Sequence, residues 1–348
     1  MARAQARPEL DPINRNYFAL ASPDQDVIGE PQLVRTGQRD TFSDLAREYG
    51  LGYDELLIAN PGVDPWLPGE GTPVLLPTQY VLPDTPREGL VLNIASKRLF
   101  YYPPVNDGEQ QVVMTFPIGI GRVGWETPLG EATVIGKAQD PTWYVPASVR
   151  KEHAEAGDPL PSVVPPGPDN PLGRHVLQLD MPGYLIHGTN QPYGVGMRVS
   201  HGCVRLYPEN IELLYSLVQR GESVTIVNEP YLAGRRDGQL YLEAHPALQD
   251  DTVDTEQRLQ DLFAAVRGES GAFVEQHEQA LARAAVSDAR GIPVRVLAAD
   301  ADEVLERVRV VRNTVQRDPE APTLEEIRAI LDAPSEAEVA DGETVASE

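Results

Sequence analysis

The segment from Tyr184 to Tyr207 reads Tyr-Leu-Ile-His-Gly-Thr-Asn-Gln-Pro-Tyr-Gly-Val-Gly-Met-Arg-Val-Ser-His-Gly-Cys-Val-Arg-Leu-Tyr and holds the chain's single cysteine, Cys203. A thiol becomes a strong nucleophile as its thiolate, which needs a cation, an imidazole or a helix N-terminus nearby. All three are candidates here. His201 lies two residues away, His187 closes an apolar, strand-like run, Arg198 and Arg205 bring positive charge, and a helix is expected from about Pro208. Gly202 lets the backbone come close to a substrate and present amide hydrogens to a developing oxyanion. The chemistry these types suit is covalent acyl transfer through sulfur.

Each residue also has a plainer reading. A lone cysteine is by default a small buried apolar group, and the glycines could mark turns alone. The histidines could be metal ligands, but no carboxylate or second cysteine stands at a spacing suited to zinc; no metal and no cofactor is expected. What favours chemistry is the combination: histidine, twelve residues, then Ser-His-Gly-Cys-Val-Arg. Spacing leaves open which histidine is the base. A base that must keep its own orientation favours His187, with His201 as support for the thiolate.

The elements around this segment are expected to be strands. Short β-type runs at residues 91–94, 98–102, 112–118 and 223–227 are separated by Gly- and Pro-rich connections. A helical stripe at 208–218 carries Ile211, Leu214, Tyr215 and Val218. Residues 158–171, rich in Pro and Gly, are too long for a routine connection and read as a loop or lid. Ahead of this domain, residues 33–78 read as strand–helix–helix–strand. Thr41 caps a helix with Phe42, Leu45, Ala46 and Tyr49 on one face, and Gly50 stops it. Beyond residue 249, helical spacing recurs at 254–266, 273–285, 302–312 and 325–331, with a strand at 292–297.

The expected fold is therefore mixed. It comprises an irregular segment (1–32), a small βααβ unit (33–78), a β-rich sandwich- or barrel-like domain (88–228), a mainly helical C-terminal α+β region (229–332) and an acidic disordered tail (333–348). The chain has 348 residues, 41% of them hydrophobic, and a net charge of -24. That charge excludes a phosphate-neutralising surface and hence nucleic acid as a partner. No run of about 18 apolar residues suggests a membrane span. Arg3 and Arg7 could start a signal peptide, but no apolar stretch follows them.

The Cys203 segment resembles the signature of the YkuD-type L,D-transpeptidase family, in which a histidine and a spacer precede Ser or Thr and then His-Gly-Cys. It is similar in particular to the ErfK/YbiS/YcfS/YnhG group. Supporting stretches are Ile-Gly-Arg-Val-Gly-Trp-Glu-Thr-Pro-Leu-Gly at 120–130, Asp-Pro-Thr-Trp at 140–143, and residues 165–173. The 33–78 unit resembles a LysM domain through Asp40-Thr41-Phe42, Leu45-Ala46, Asn60-Pro61 and Leu67-Pro68-Gly69. A module that only packs on its neighbour is the alternative.

The resemblance implies a β-rich catalytic fold acting on peptidoglycan stem peptides that contain meso-diaminopimelate, with glycan strands held by the LysM unit. Cys203 would form a thioester with loss of D-alanine. A second diaminopimelate (a 3→3 cross-link) or a lysine of an outer-membrane lipoprotein would then attack it. By the same resemblance His187 is the general base and the Gly188 carbonyl its orienter, while the Gly202 and Cys203 amides form the oxyanion hole. Arg205 would hold a stem carboxylate. Ser200, Arg198 and Tyr184 complete the candidate substrate-facing set, Ser200 chiefly in a structural capacity. The location implied is periplasmic.

Two departures stand out. The twelve-residue spacer is shorter than in many distant members, and Arg205 stands where the general pattern often has Asn. Hydrolysis of the same thioester, a wall-binding protein with a degenerate catalytic domain, and a cytoplasmic cysteine protease are the competing functions. Intact His187, Gly202 and Cys203 disfavour the second of these, and the LysM-like unit the third.

Overall fold

The computed structural model describes residues 16–105, 108–270, 276–296 and 301–316. Its centre is a nine-stranded sheet. In spatial order the strands are Tyr17–Ala19, Val112–Pro117, Arg98–Tyr102, Gly89–Asn93, Ser223–Val227, Gly130–Gln139, His175–Leu179, Leu185–His187 and Val204–Arg205. Pairing is antiparallel except where Gly89–Asn93 meets Ser223–Val227 and where Leu185–His187 meets Val204–Arg205. The second exception matters most: Ile186 lies opposite Val204 and His187 opposite Arg205. That register brings two ends of the candidate motif onto neighbouring strands.

Three strands explain how the sheet is held. Gly89–Asn93, Arg98–Tyr102 and Val112–Pro117 are apolar at nearly every position, the pattern of strands buried on both faces. Because successive side chains alternate, each strand feeds two cores. Leu90, Leu92, Leu99, Tyr101 and Phe116 pack with Ile186, Val204, Ile211 and Leu214 on one side. Val91, Phe100, Tyr102 and Val113 pack with Phe42, Leu45, Leu56 and Val74 on the other. The first core is closed by the helix Pro208–Leu217.

The second core is closed by the expected βααβ unit: strand Gln32–Arg35, helices Phe42–Glu48 and Tyr53–Ala59, and strand Pro73–Leu76, with the two strands antiparallel. Thr41 and Asp44 form a capping box at the first helix. Gly50 follows that helix with φ +66°, a conformation that favours glycine, as the chain reverses toward the second. This unit is no tethered bead, since it shares its core with the large sheet.

An ion pair ties the two together. The Arg98 guanidinium donates from Nε to Glu55 Oε1 and from Nη2 to Glu55 Oε2, both at 2.8 Å. It also donates to the Gly50 carbonyl at 3.1 Å and to Thr115 Oγ1 at 3.2 Å. Its charge lies over the Tyr80 ring, 4.1 Å from the centroid. Burial opposes that charge, but the Glu55 carboxylate more than reverses the effect and holds Arg98 ionised above its ordinary range.

Three regions differ from the sequence reading. The segment ahead of residue 33 was expected to be irregular, yet Tyr17–Ala19 pairs with Val112–Pro117 and Val27–Gly29 with Gln79–Val81. The prolines break any long period but leave room for short strands. The C-terminal region begins with a hairpin, Tyr231–Arg236 and Gln239–Ala244, joined by Val294–Arg295. Asp237 and Gly238 turn that hairpin with φ +53° and +75°, the two-residue turn that Asp-Gly favours. Helices Thr255–Ser270 and Gln276–Asp288 follow. The helix expected at 302–312 stops at Arg307, and Arg309–Val310 adds to the open edge of Gln32–Arg35 as a parallel strand. Val308, Val310 and Val311 are β-branched and fit an extended edge better than a helix. The helix expected at 325–331 and the tail from 333 lie outside the described residues.

Candidate active site

Cys203 sits on the short loop between strands Arg198–Ser200 and Val204–Arg205. The loop is braced from within. Ser200 Oγ donates to the Cys203 carbonyl at 2.5 Å and accepts from the Gly202 amide at 3.2 Å. Thr127 Oγ1 donates to the Gly202 carbonyl at 3.0 Å and accepts from the Gly121 amide at 3.0 Å. Gly202 has φ +98°, and a Cβ there would lie 2.9 Å from Cε1 of Tyr184. Backbone conformation and the Tyr184 ring both demand glycine.

The half-buried thiol donates to the Gly183 carbonyl at 3.6 Å. Burial pushes its pKa up, against the smaller opposing influences of a hydrogen bond from the Leu185 backbone and the Arg205 charge. At neutral pH it rests as a thiol. Among the described residues the Cys203 amide has no hydrogen-bond partner, whereas the Gly202 amide is engaged by Ser200.

His187 closes its strand at 3% exposure. Its Nδ1 lies 2.6 Å from the Gly188 carbonyl oxygen; since that oxygen can only accept, Nδ1 carries the proton and Nε2 keeps its lone pair. Burial lowers the His187 pKa, the Arg205 charge lowers it further, and hydrogen bonds to the Gly188 and Leu172 carbonyls pull the other way. The result is a pKa of about 3 and a neutral imidazole at rest.

Arg205 is the unusual cation of the site. Its Nε is buried without a partner, and its guanidinium makes no ion pair among the described residues. Burial lowers its pKa, which Cys203 partly restores. Arg198, by contrast, is committed: it donates to Asp250 at 2.7 and 2.9 Å and to the Gly121 carbonyl at 3.1 Å. It links the catalytic loop to the start of the C-terminal region.

His201 turns toward other partners. Its Nε2 lies 3.0 Å from Glu152 Oε2 and 3.0 Å from Arg122 Nη2, and Arg122 also pairs with Glu152 Oε1. The Trp125 ring meets the imidazole edge-on, with centroids 4.9 Å apart. Glu152 belongs to the helix Ala147–Glu155. That helix sits at the tip of a hairpin formed by Trp143–Tyr144 and Val163–Val164. The loop or lid expected at 158–171 is therefore the returning half of a larger flap that reaches the Cys203 loop through Glu152 and His201. Asn170 fastens its base by donating to the Pro141 carbonyl at 2.8 Å.

Glu152, Arg122 and Thr127 were not singled out from sequence. Arg122 and Thr127 lie within the Gly-rich 120–130 stretch, whose pattern was visible though its side-chain roles were not. Glu152 sits on a helix with a single fully buried residue, Val149, and carried no local signal.

The Cys203 loop, the buried His187 and the surrounding sheet together form the candidate site. Residues 87–226 match the YkuD family, the L,D-transpeptidase catalytic domain. Over 254 residues the chain is 41% identical to the "Probable L,D-transpeptidase YcfS" of Escherichia coli K12, covering 71% of this chain and 78% of the relative. It is 37% identical over 286 residues to the "Probable L,D-transpeptidase YbiS" of the same organism, covering 80% and 91%. Among solved structures, an L,D-transpeptidase from Mycobacterium smegmatis aligns with 40% of this chain and 58% of its own, at 21% identity and a TM-score of 0.31. The chain belongs to the YkuD family of L,D-transpeptidases.

Proposed function

We propose that the chain is an exported L,D-transpeptidase that acts on peptidoglycan tetrapeptide stems through a Cys203 thioester. The observation that carries this reading is the pairing of register and charge at the site. A neutral, tautomer-fixed His187 stands opposite Arg205, one strand from the loop that presents the thiol.

In the forward step His187 Nε2 takes the thiol proton as sulfur attacks the carbonyl of the L-centre of meso-diaminopimelate. The raised thiol pKa and depressed histidine pKa favour proton transfer during attack over an ion pair formed beforehand. The oxyanion is met by the free Cys203 amide, with the Gly202 amide joining if Ser200 releases it. Collapse breaks the bond to D-alanine, whose amine takes the proton from His187. An acceptor amine then attacks the thioester, losing a proton to His187 and restoring the thiol. The acceptor is a diaminopimelate side chain or a lipoprotein lysine. Arg205, half-buried and without an ion-pair partner among the described residues, suits a carboxylate of the stem. Tyr184 walls the loop, and Ser200 keeps its shape.

The βααβ unit at 33–78 is read as a LysM-type glycan binder. Support comes from its topology and from Trp66, 39% exposed and stacked at an angle on Tyr53 with centroids 6.0 Å apart. The C-terminal extension at 229–332 buttresses this unit through the Arg309–Val310 strand. The substrate lies outside the cytoplasm, which places the working enzyme in the periplasm.

The test is incubation with disaccharide-tetrapeptide followed by mass analysis. Cross-linked dimers that have lost one D-alanine support the reading. Free tripeptide alone would replace it with hydrolysis, and unchanged substrate would overturn it. For glycan binding, sacculus pulldown should weaken in Trp66→Ala while dimer formation from soluble substrate persists.

A further inference from the structure

Arg122, His201 and Glu152 form a cluster that the mechanism above does not use. An arginine and an imidazole converge on one carboxylate, and that carboxylate arrives from the flap helix. Its side chain makes no other hydrogen bond among the described residues, and it is 36% exposed. The fit is incomplete in two ways. Glu152 engages the Arg122 fork through Nη2 alone, leaving Arg122 Nε buried with no partner. His201 Nε2 is also approached by a donor and an acceptor at the same 3.0 Å. A single ring nitrogen can donate to Glu152 or accept from Arg122, but not both at once. A carboxylate unconstrained by a helix could take both nitrogens of the fork and the imidazole proton together.

We infer that Arg122 and His201 form a binding site for a carboxylate of the stem peptide, and that Glu152 fills it as an internal stand-in while the flap is down. This rests on the transpeptidase reading and deepens it. The surroundings support it: the protein carries a net charge of -24, yet Arg122 meets His201 two residues before Cys203, and Arg205, two residues after it, acts on the thiol. Arrival of substrate displaces Glu152 and releases the flap helix from the catalytic loop. Binding and flap opening are thus one exchange of carboxylates.

The test measures binding to a Cys203→Ala protein by calorimetry, so that turnover does not interfere. The probes are disaccharide-tetrapeptide and analogues with each carboxylate amidated in turn, which identifies the carboxylate concerned. Amidation of that carboxylate weakens binding about tenfold, as expected for loss of a charge-assisted hydrogen-bond pair. Adding Arg122→Ala weakens the acid to the level of the amide and erases the difference between them. Adding Glu152→Gln instead tightens the acid several-fold, because the competitor is gone, and leaves the amide unchanged.

The inference is overturned if the acid–amide difference survives Arg122→Ala, if no amidation matters, or if Glu152→Gln weakens binding as Arg122→Ala does. The last result would make the cluster a structural clasp alone. Failure of the wild-type protein to form dimers or bind any stem peptide would instead remove the transpeptidase reading, and this inference with it. Dimer formation combined with any of the three negative results removes only the inference.

Discussion

Arg98 is fully buried and Arg205 half-buried; both sit on strands of the same sheet, and their surroundings differ in the partners they supply. At the junction with the βααβ unit, Arg98 has a bidentate carboxylate, a carbonyl, a hydroxyl and an aromatic face. Beside Cys203, Arg205 has a partnerless Nε and no anion among the described residues. Burying a charge is tolerable when its hydrogen bonds and countercharge are supplied. The junction supplies them from within the chain and so serves stability. At Arg205 no such countercharge is supplied among the described residues, and on the function proposed above a substrate carboxylate would supply it. The same residue type is a rivet in one region and, on the proposed function, a receptor in the other.

Four substitutions or titrations would break or sharpen that contrast. The largest effect is expected at His187: replacement by Ala should lower kcat/KM roughly 10²–10⁴-fold, with the far-UV circular dichroism of the wild type retained. Next, Glu55→Ala strands the Arg98 charge and should reduce unfolding free energy by about 3–5 kcal/mol in urea titrations. A loss below about 1 kcal/mol would show that the junction is not a rivet. Arg205→Ala should do the reverse, lowering kcat/KM by about 10–100-fold through KM without lowering Tm. A large drop in Tm there would dissolve the contrast.

The most gradual effect, small per pH unit, is in pH. Because the His187 pKa falls to about 3 on folding, the unfolded chain binds the extra proton first as pH drops. Stability from this group is complete above about pH 6.5 and is lost down to about pH 3, at up to ~1.4 kcal/mol per pH unit. The slope should be shallower in His187→Phe by that amount. For the same reason the acid limb of kcat/KM should not appear at the usual histidine pKa.

Local signals made much of this legible. Nearly continuous apolar runs announced the central strands. The sequence Ser-His-Gly-Cys-Val-Arg and the upstream histidine pointed to the candidate site, because glycine and a fixed spacer constrain the backbone directly. Partnerships across long sequence distances were hidden: Glu55 with Arg98, Glu152 with His201, and Val310 opposite Leu33. Each depends on tertiary placement, which period and propensity do not encode. The hairpin at Asp237-Gly238 was different, since its turn signal was present and was passed over in a region read as helical.

The central claim is that Cys203 becomes acylated, with departure of D-alanine, before any acceptor is joined. Intact-protein mass spectrometry after rapid mixing with disaccharide-tetrapeptide tests it directly. The expected result is an adduct equal to the donor less one D-alanine, mapped to Cys203, absent in Cys203→Ala and discharged when an acceptor amine is added. Cross-linked product formed at an undiminished rate by Cys203→Ala would contradict it.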